Sequence, residues 1–275
     1  MKSKKLDIPY ILLFTTMLVA SALMFIPYLW MALLSVKSNM EIMMNPTALV
    51  PENPTVEGYR TVLQEAPFMR WFMNSVITSA IITIGLLFSS SLAGYIFAKF
   101  HFRGSKTILV VIMATMMVPF QVVMIPIYLI ISRLGLINHL AAIVIPSLVG
   151  AFGIYLCKQF IEGIPKDLIE ASRIDGASET RTYASLILPQ ITPVLSALGI
   201  FTFMGAWNNY LWPLIVLNDE SKMTVPLALV FFNSRHTVNY NVVMSAAVLI
   251  MIPVIIVFLI FQKQFVKGLT LTGIK

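Results

Sequence analysis

The chain has 275 residues, of which 58% are hydrophobic and 11% charged, with a formal net charge of +7. A soluble domain averages about 25% charged residues, and a chain of this size with so few cannot cover itself with polar surface. Lipid is therefore the expected solvent, and the composition argues against a disordered chain, a secreted disulfide scaffold and an ordinary cytosolic enzyme; the single cysteine, Cys157, allows neither an internal disulfide nor a thiolate metal cluster.

At the N-terminus, Lys2, Lys4 and Lys5 look like the basic region of a signal peptide, and Ala20-Ser21-Ala22 has the small-x-small pattern of a cleavage site. The apolar run nevertheless continues to Leu34, past the roughly 7–15 residues of a cleaved signal. The reading is an uncleaved first helix. Residues 8–36, 71–98, 107–132, 134–157, 182–218 and 242–262 all lack Lys, Arg, Asp and Glu. Each is long enough for a helix across a hydrocarbon core of about 30 Å. Helices are the open-chain solution in lipid, because every backbone donor and acceptor is satisfied within the segment. The predicted spans are about 10–34, 71–98, 107–132, 140–157, 190–217 and 242–262, in a single membrane domain over 1–275.

Orientation follows from Lys and Arg near the helix ends. With the N-terminus inside, the inner segments carry Lys99, Arg103, Lys106, Lys158, Lys166, Arg173, Arg181, Lys263, Lys267 and Lys275 besides the N-terminal lysines. The outer ones carry only Lys37, Arg60, Arg70, Arg133, Lys222 and Arg235. Both termini are therefore expected in the cytoplasm, and the positive charge reads as an orientation signal beside anionic lipid, not as a nucleic-acid surface. Segment 37–70, with Pro46, Pro51, Pro54 and Pro67, reads as an extended or turn-rich outer cap. Two longer loops, 158–181 inside and 219–241 outside, are the expected docking places for partners.

Within the spans, Gly85, Ser89 and Ala93 form one small-residue stripe and Ser90, Gly94 and Ala98 another. Such stripes let helix backbones approach closely, and packing inside this chain is the reading preferred over a homodimer seam. Prolines 27, 119, 126, 146, 193, 213 and 253 interrupt the spans and predict bends. The absence of acidic or basic residues at membrane depth weighs against an ion-coupled secondary carrier. Trp207-Asn208-Asn209-Tyr210-Leu211-Trp212-Pro213 combines amides with aromatics near the outer end of the fifth span. That is the chemistry of a sugar pathway, for which Trp207, Asn208, Asn209 and Tyr210 are candidates. For Tyr210 and Trp212 an interfacial aromatic belt is the competing and preferred reading.

Enzyme motifs are missing. Gly104-Ser105-Lys106-Thr107 lacks the upstream glycine and the Gly-Lys pair of a phosphate loop. No metalloprotease or nucleophile-elbow motif occurs. His101, His139 and His236 fall in three different loops and cannot share a metal.

The inner loop begins Ile164-Pro165-Lys166-Asp167-Leu168-Ile169-Glu170-Ala171-Ser172-Arg173-Ile174-Asp175-Gly176-Ala177-Ser178 and continues to Leu186-Ile187-Leu188-Pro189. Pro165 suits the first helical position. Asp167 and Glu170 favour the start of a helix dipole. Gly176 suits a left-handed end to that helix, and Ser178 suits the cap of the next, which should run to Pro189. The prediction is two short helices at an angle, a rigid charged elbow.

Glu170, Ala171, Gly176, Leu188 and Pro189 stand where the EAA loop of ABC-importer permeases has its fixed residues, with Ser172 in place of the usual alanine and Leu186 in place of the usual isoleucine. Segments 206–214, Thr224-Val225-Pro226-Leu227 and the tail Phe265-Val266-Lys267-Gly268-Leu269-Thr270 resemble carbohydrate-importer permeases of the maltose-permease, MalG-like kind. The Gly273-Ile274-Lys275 end departs from the usual family ending. The resemblance implies an all-α integral membrane protein of six transmembrane helices, a MetI-like type I importer permease with its coupling elbow at 163–189. It implies a bacterial inner-membrane location and a second, homologous permease as partner. Two cytoplasmic ATPase subunits would bind the ATP and magnesium, so the chain itself needs no cofactor, and an external sugar-binding protein would deliver the solute. Glu170, Ala171, Ser172, Arg173, Asp175 and Gly176 would then meet the ATPase, and Thr224, Val225, Pro226 and Asn233 the binding protein. A permease for glycerol-phosphate or another polar solute is the rival within the class. A self-sufficient carrier or channel, which needs no 170–176 motif, and an integral-membrane enzyme are rivals outside it.

Overall fold

The computed structural model describes residues 8–235 and 239–271, and Lys2, Lys4, Lys5, His236 and the Gly273-Ile274-Lys275 end lie outside them. The described secondary structure is helical throughout: α1 Ile8–Leu34, α2 Asn39–Met44, α3 Glu57–Gln64, α4 Phe68–Lys99, α5 Ser105–Thr115, α6 Phe120–Arg133, α7 Ala141–Val144, α8 Ala151–Glu162, α9 Lys166–Ile174, α10 Glu179–Thr182, α11 Leu188–Gln190, α12 Thr192–Trp207, α13 Leu211–Val216, α14 Val225–Arg235 and α15 Tyr240–Leu271. A π turn, Tyr183–Ile187, joins α10 to α11.

Among the described residues, Pro9–Leu34, Phe68–Lys99 and Tyr240–Ile260 are unbroken helices long and apolar enough to cross a membrane. Three bent pairs bring the spans to six when each pair counts as one. The predicted third span is the most altered. α5 and α6 meet at 101°, and the 11 residues of α5 extend only about 16 Å at 1.5 Å per residue. Pro119 sits at the break as the cap residue of α6 with an extended ψ of 141°, and its ring disfavours a helical conformation at Val118, the residue before it. The fourth span bends by 40° between Ala141–Ser147 and Ala151–Glu162, where Pro146 lies in a 3-10 turn. Pro27, Pro126 and Pro253 sit inside helices that continue through them.

The chain forms two compact units, residues 1–66 with 229–252, and 67–228 with 253–275. In the first, the expected extended cap contains two short helices. Ser38 caps α2 by accepting from the Glu41 N–H at 3.2 Å, and Thr55 accepts from the Glu57 N–H ahead of α3. The end of α1 is received by the start of α15: the Asn241 amide donates to the Ser35 and Lys37 carbonyls at 3.0 and 2.6 Å, and the Ser245 hydroxyl donates to Ser35 at 3.1 Å. These donors satisfy buried carbonyls in the turn that follows α1.

The second unit is built on α4 and α8. The small-residue stripes serve packing within the chain, as expected. A Cβ at Gly94 would lie 2.7 Å from the Cys157 Cβ and 2.9 Å from the Lys158 backbone nitrogen, so only glycine permits this approach. Ser89 donates to the Leu148 carbonyl at 2.7 Å, which satisfies a group freed by the bend. One apolar cluster (Tyr95, Cys157, Ile169, Tyr183, Ile187, Leu198) lies under the elbow. Another (Ile82, Ile131, Ile143, Trp212, Leu227) lies at the other end of α4.

Candidate functional site

The elbow forms from local signals. α9 begins after Pro165, which is the cap residue, one position before the expected first helical position. Helix α9 ends in a Schellman turn. Gly176 has φ +79°, its N–H donates to the Arg173 carbonyl at 3.0 Å, and the Ala177 N–H donates to the Ser172 carbonyl at 3.0 Å. Ser178 then caps α10 by accepting from the Arg181 N–H at 3.3 Å. The second arm passes through the π turn and α11, and at Ile191 it bends 77° into α12. The helical path thus runs one residue beyond Pro189, to Gln190.

The two arms are tied together and to α4. Arg173 Nε donates to Glu179 Oε1 at 2.7 Å, and Tyr95 donates its hydroxyl hydrogen to Glu179 Oε2 at 2.8 Å. Ser172 and Thr182 hydroxyls share a 2.8 Å bond, and Tyr183 and Ser91 hydroxyls one of 2.7 Å. The Arg173 bond, then the Tyr95 bond, hold the Glu179 carboxyl below its usual range. The same carboxylate pushes the Arg173 guanidinium up. The bridge is therefore present above the ordinary glutamate pKa and is lost only as pH falls through the depressed one. Beneath it, Ile169 is buried against Tyr95, Tyr183 and Ile187.

What the elbow displays is a mixed face. Glu170, Ala171 and Asp175 are exposed, and so are the apolar Leu168 and, at 86%, Ile174. A small hollow beside them is lined by Lys99, Lys166, Ile169, Glu170 and Arg173. Exposed apolar side chains ringed by charge are the composition of a docking face. Of the residues expected to meet a partner, Glu170, Ala171, Asp175 and Gly176 are displayed, and Arg173 is exposed as well although it is bonded to Glu179. Ser172 is half-buried on Thr182.

The other candidates are placed differently from expectation. Trp207 is 1% exposed, stacked on Phe203 at 5.9 Å and edge-on to Phe72 at 5.7 Å, so its ring face is not open to a sugar. Asn208 is exposed beside an apolar hollow lined by Ile200, Phe201, Met204, Gly205 and Phe258. Asn209 is half-buried, with its N–H on the Ala206 carbonyl, and Tyr210 is exposed. The four do not converge. Trp212 is core rather than belt: it is buried, donates to the Ala142 carbonyl at 2.9 Å and takes Phe120 edge-on. Thr224, Val225 and Pro226 are also buried, which corrects their expected role as contacts. The Val225 N–H donates to Ser75, and Asn74 and Trp71 donate to the carbonyls of residues 220, 221 and 223 just before it. Asn233 alone of that set is exposed.

Tyr95 and Glu179 were not singled out by sequence. A hydroxyl inside an apolar span needs a partner, and that signal marks Tyr95, but nothing local names a partner 84 residues away.

Comparison with known proteins agrees with the elbow. Residues 85–271 match the family model described as binding-protein-dependent transport system inner membrane component. The arabinooligosaccharides transport system permease protein AraQ of Halalkalibacterium halodurans is 32% identical over 252 residues, covering 90% of this chain and 90% of that protein. The sn-glycerol-3-phosphate transport system permease protein UgpE of Salmonella typhi is 32% identical over 232 residues, covering 82% and 83%. Among solved structures, a bacterial ABC transporter involved in the import of the acidic polysaccharide alginate aligns with a TM-score of 0.83 at 24% identity, over 96% of this chain and 99% of that one. At that identity the likeness is one of fold, and it is the fold that residues 170–189 imply.

Proposed function

The chain belongs to the family of binding-protein-dependent transport system inner membrane components, and on that premise we propose that it is one membrane subunit of an ATP-driven importer for a sugar or oligosaccharide. The observation that carries this reading is the elbow. A Schellman turn fixes the angle between its arms, and an outward face of Leu168, Glu170 and Ile174 is left for a partner. That partner is a cytoplasmic ATPase, which binds ATP and magnesium. The chain moves helices and catalyses no bond chemistry. A second permease completes the pathway, and an external binding protein brings the solute. Movement of the docked elbow biases the bundle between two packings, inward- and outward-facing. Spans 71–98, 107–132 and 190–217 hold no Lys or Arg to meet a phosphate. That favours a neutral, hydroxylated solute over a glycerol phosphate.

The test is assembly. The purified chain alone should neither bind nor hydrolyse ATP, having no phosphate loop, and hydrolysis should appear when the ATPase recovered with it from native membranes is restored. A sustained nucleotide-dependent rate from the chain alone would sink the importer reading.

The proposed orientation, with both termini and the elbow inside, is checked by labelling. In a Cys157→Ala background, Asn53→Cys and Asn218→Cys should react with an impermeant maleimide added to intact cells. Ser105→Cys and Ser178→Cys should react only after permeabilisation. Outside labelling at position 178 would overturn both the orientation and the docking role of the elbow.

A further inference from the structure

We propose that Glu179 is a positioning residue that carries movement of the elbow into α4, through Tyr95, making α4 rather than α12 the helix that the ATPase drives. This rests on the importer reading above. The elbow is continuous in sequence with α12, so α12 is the obvious recipient of its motion. The connection is poorly built for that task. It passes through the π turn Tyr183–Ile187 and then a 77° bend at Ile191. A π turn interrupts the regular i→i−4 ladder, and a thrust along one helix reaches another at 77° only weakly.

The side connection is better built. Each carboxylate oxygen of Glu179 has its own donor: Oε1 takes Arg173 of the first arm and Oε2 takes Tyr95 of α4, at 2.7 and 2.8 Å. The Arg173 and Glu179 side chains are 45% and 44% exposed, so solvent screens their pair and it fixes direction more than it adds stability. A second tie, Tyr183 to Ser91, lies one turn of α4 away, and Ile169 is buried in the same apolar cluster as the two tyrosines and Ile187. The second arm thus holds α4 at two points, and the first arm is tied to the second through Arg173. Next to Tyr95, Gly94 sits directly on the α8 backbone at Cys157 and Lys158, so what reaches Tyr95 moves α4 and α8 together. Arg173 acquires a role beside partner contact: it locks the first arm to the second, so that the docked face and Glu179 move as one body.

Merely structural and positioning roles predict different results. Tyr95→Phe removes one hydroxyl and leaves the ring packing, and Glu179→Gln keeps the shape and removes the charge. Neither touches the exposed face at Glu170. The complex with its native ATPase is prepared in membranes from a Cys157→Ala chain carrying Thr83→Cys, on the wall between α4 and α12. The probe is N-ethylmaleimide, with and without ATP plus orthovanadate. The parent should show a nucleotide-dependent change in labelling rate. Each variant should lose most of that change while the ATPase still copurifies in the parent's amount. The double variant should be no worse than the more damaged single one, because both remove the same link. Three outcomes would overturn the proposal: variants that keep the parent's change, a parent that shows none, or variants that lose the change only by losing the ATPase. A chain that recovers no ATPase fails the importer reading first, before any variant is compared.

Discussion

Gly176→Val should abolish ATP-driven transport while the chain inserts in near-normal amount. Gly176 has φ +79°, and nothing lies within 4 Å of where a Cβ would be, so the cost is backbone strain and not a clash. A side chain in the left-handed region costs roughly 1–2 kcal/mol, and a β-branched one is a genuine outlier there. Such a cost cannot eject apolar helices from a bilayer. It is enough to break the two Schellman bonds, Gly176 to Arg173 and Ala177 to Ser172, and to reset the angle between α9 and α10. Gly176→Asn should retain transport, because asparagine visits this region readily. Glu170→Lys tests the displayed face instead of the turn and should abolish recovery of the ATPase. Transport into proteoliposomes and copurification of the ATPase are the two measurements. Valine behaving like asparagine at 176 would mean that the elbow angle does not matter. Undiminished assembly of Glu170→Lys would mean that the face is not the docking surface.

The turn was legible in the sequence because its causes are local: Pro165, Gly176 and Ser178 act within a few residues of themselves, and each adopts the expected capping geometry within one position. Three of the spans, the first, second and sixth, are single helices as expected, because an apolar run of that length has one solution in lipid. What could not be read were pairings between distant segments. Trp212 looked like a belt residue because tryptophan is common at membrane interfaces, but the Ala142 carbonyl, 70 residues away, takes its N–H and buries it. Thr224, Val225 and Pro226 matched a family segment and were read as displayed. Instead Trp71 and Asn74 at the start of α4 supply donors, and Ser75 accepts the Val225 N–H, and together they pull the chain around them inward. Pro119 announced a break in the third span, but a proline specifies the interruption and not its angle, and the 101° turn between α5 and α6 is a product of packing. The Arg173–Glu179–Tyr95 bridge lies between these cases. Two of its members are six residues apart and share the elbow, but only the fold brings in the third.

Lys37→Ala should destabilise the first unit by about 3–5 kcal/mol, the range for breaking a buried charge pair by removing one member. Charge placement alone made Lys37 an ordinary outer-loop lysine, and an exposed pair would contribute about 0–1 kcal/mol. The structure places it otherwise: its side chain is 0% exposed, 3.4 Å from Glu41 Oε1, itself on a side chain only 11% exposed. The ammonium also donates to the Ala48 carbonyl. Glu41 Oε1 accepts the Glu52 N–H at 3.1 Å, and its Oε2 is buried with no hydrogen-bond partner. Removing the ammonium would leave that carboxylate buried with its counter-charge gone. The double change Lys37→Met with Glu41→Leu removes both charges and keeps volume, so it should recover most of the loss. It should not recover all of it, because the Ala48 carbonyl and the Glu52 N–H lose their partners. The comparison is made on the purified chain in micelles, by the denaturant midpoint and by protease cleavage within residues 45–56. If the single variant unfolds at the parent's midpoint, the pair is no more than a surface contact. If the double variant is as weak as the single one, the cost lies in the lost hydrogen bonds of Ala48 and Glu52 and not in an orphaned charge.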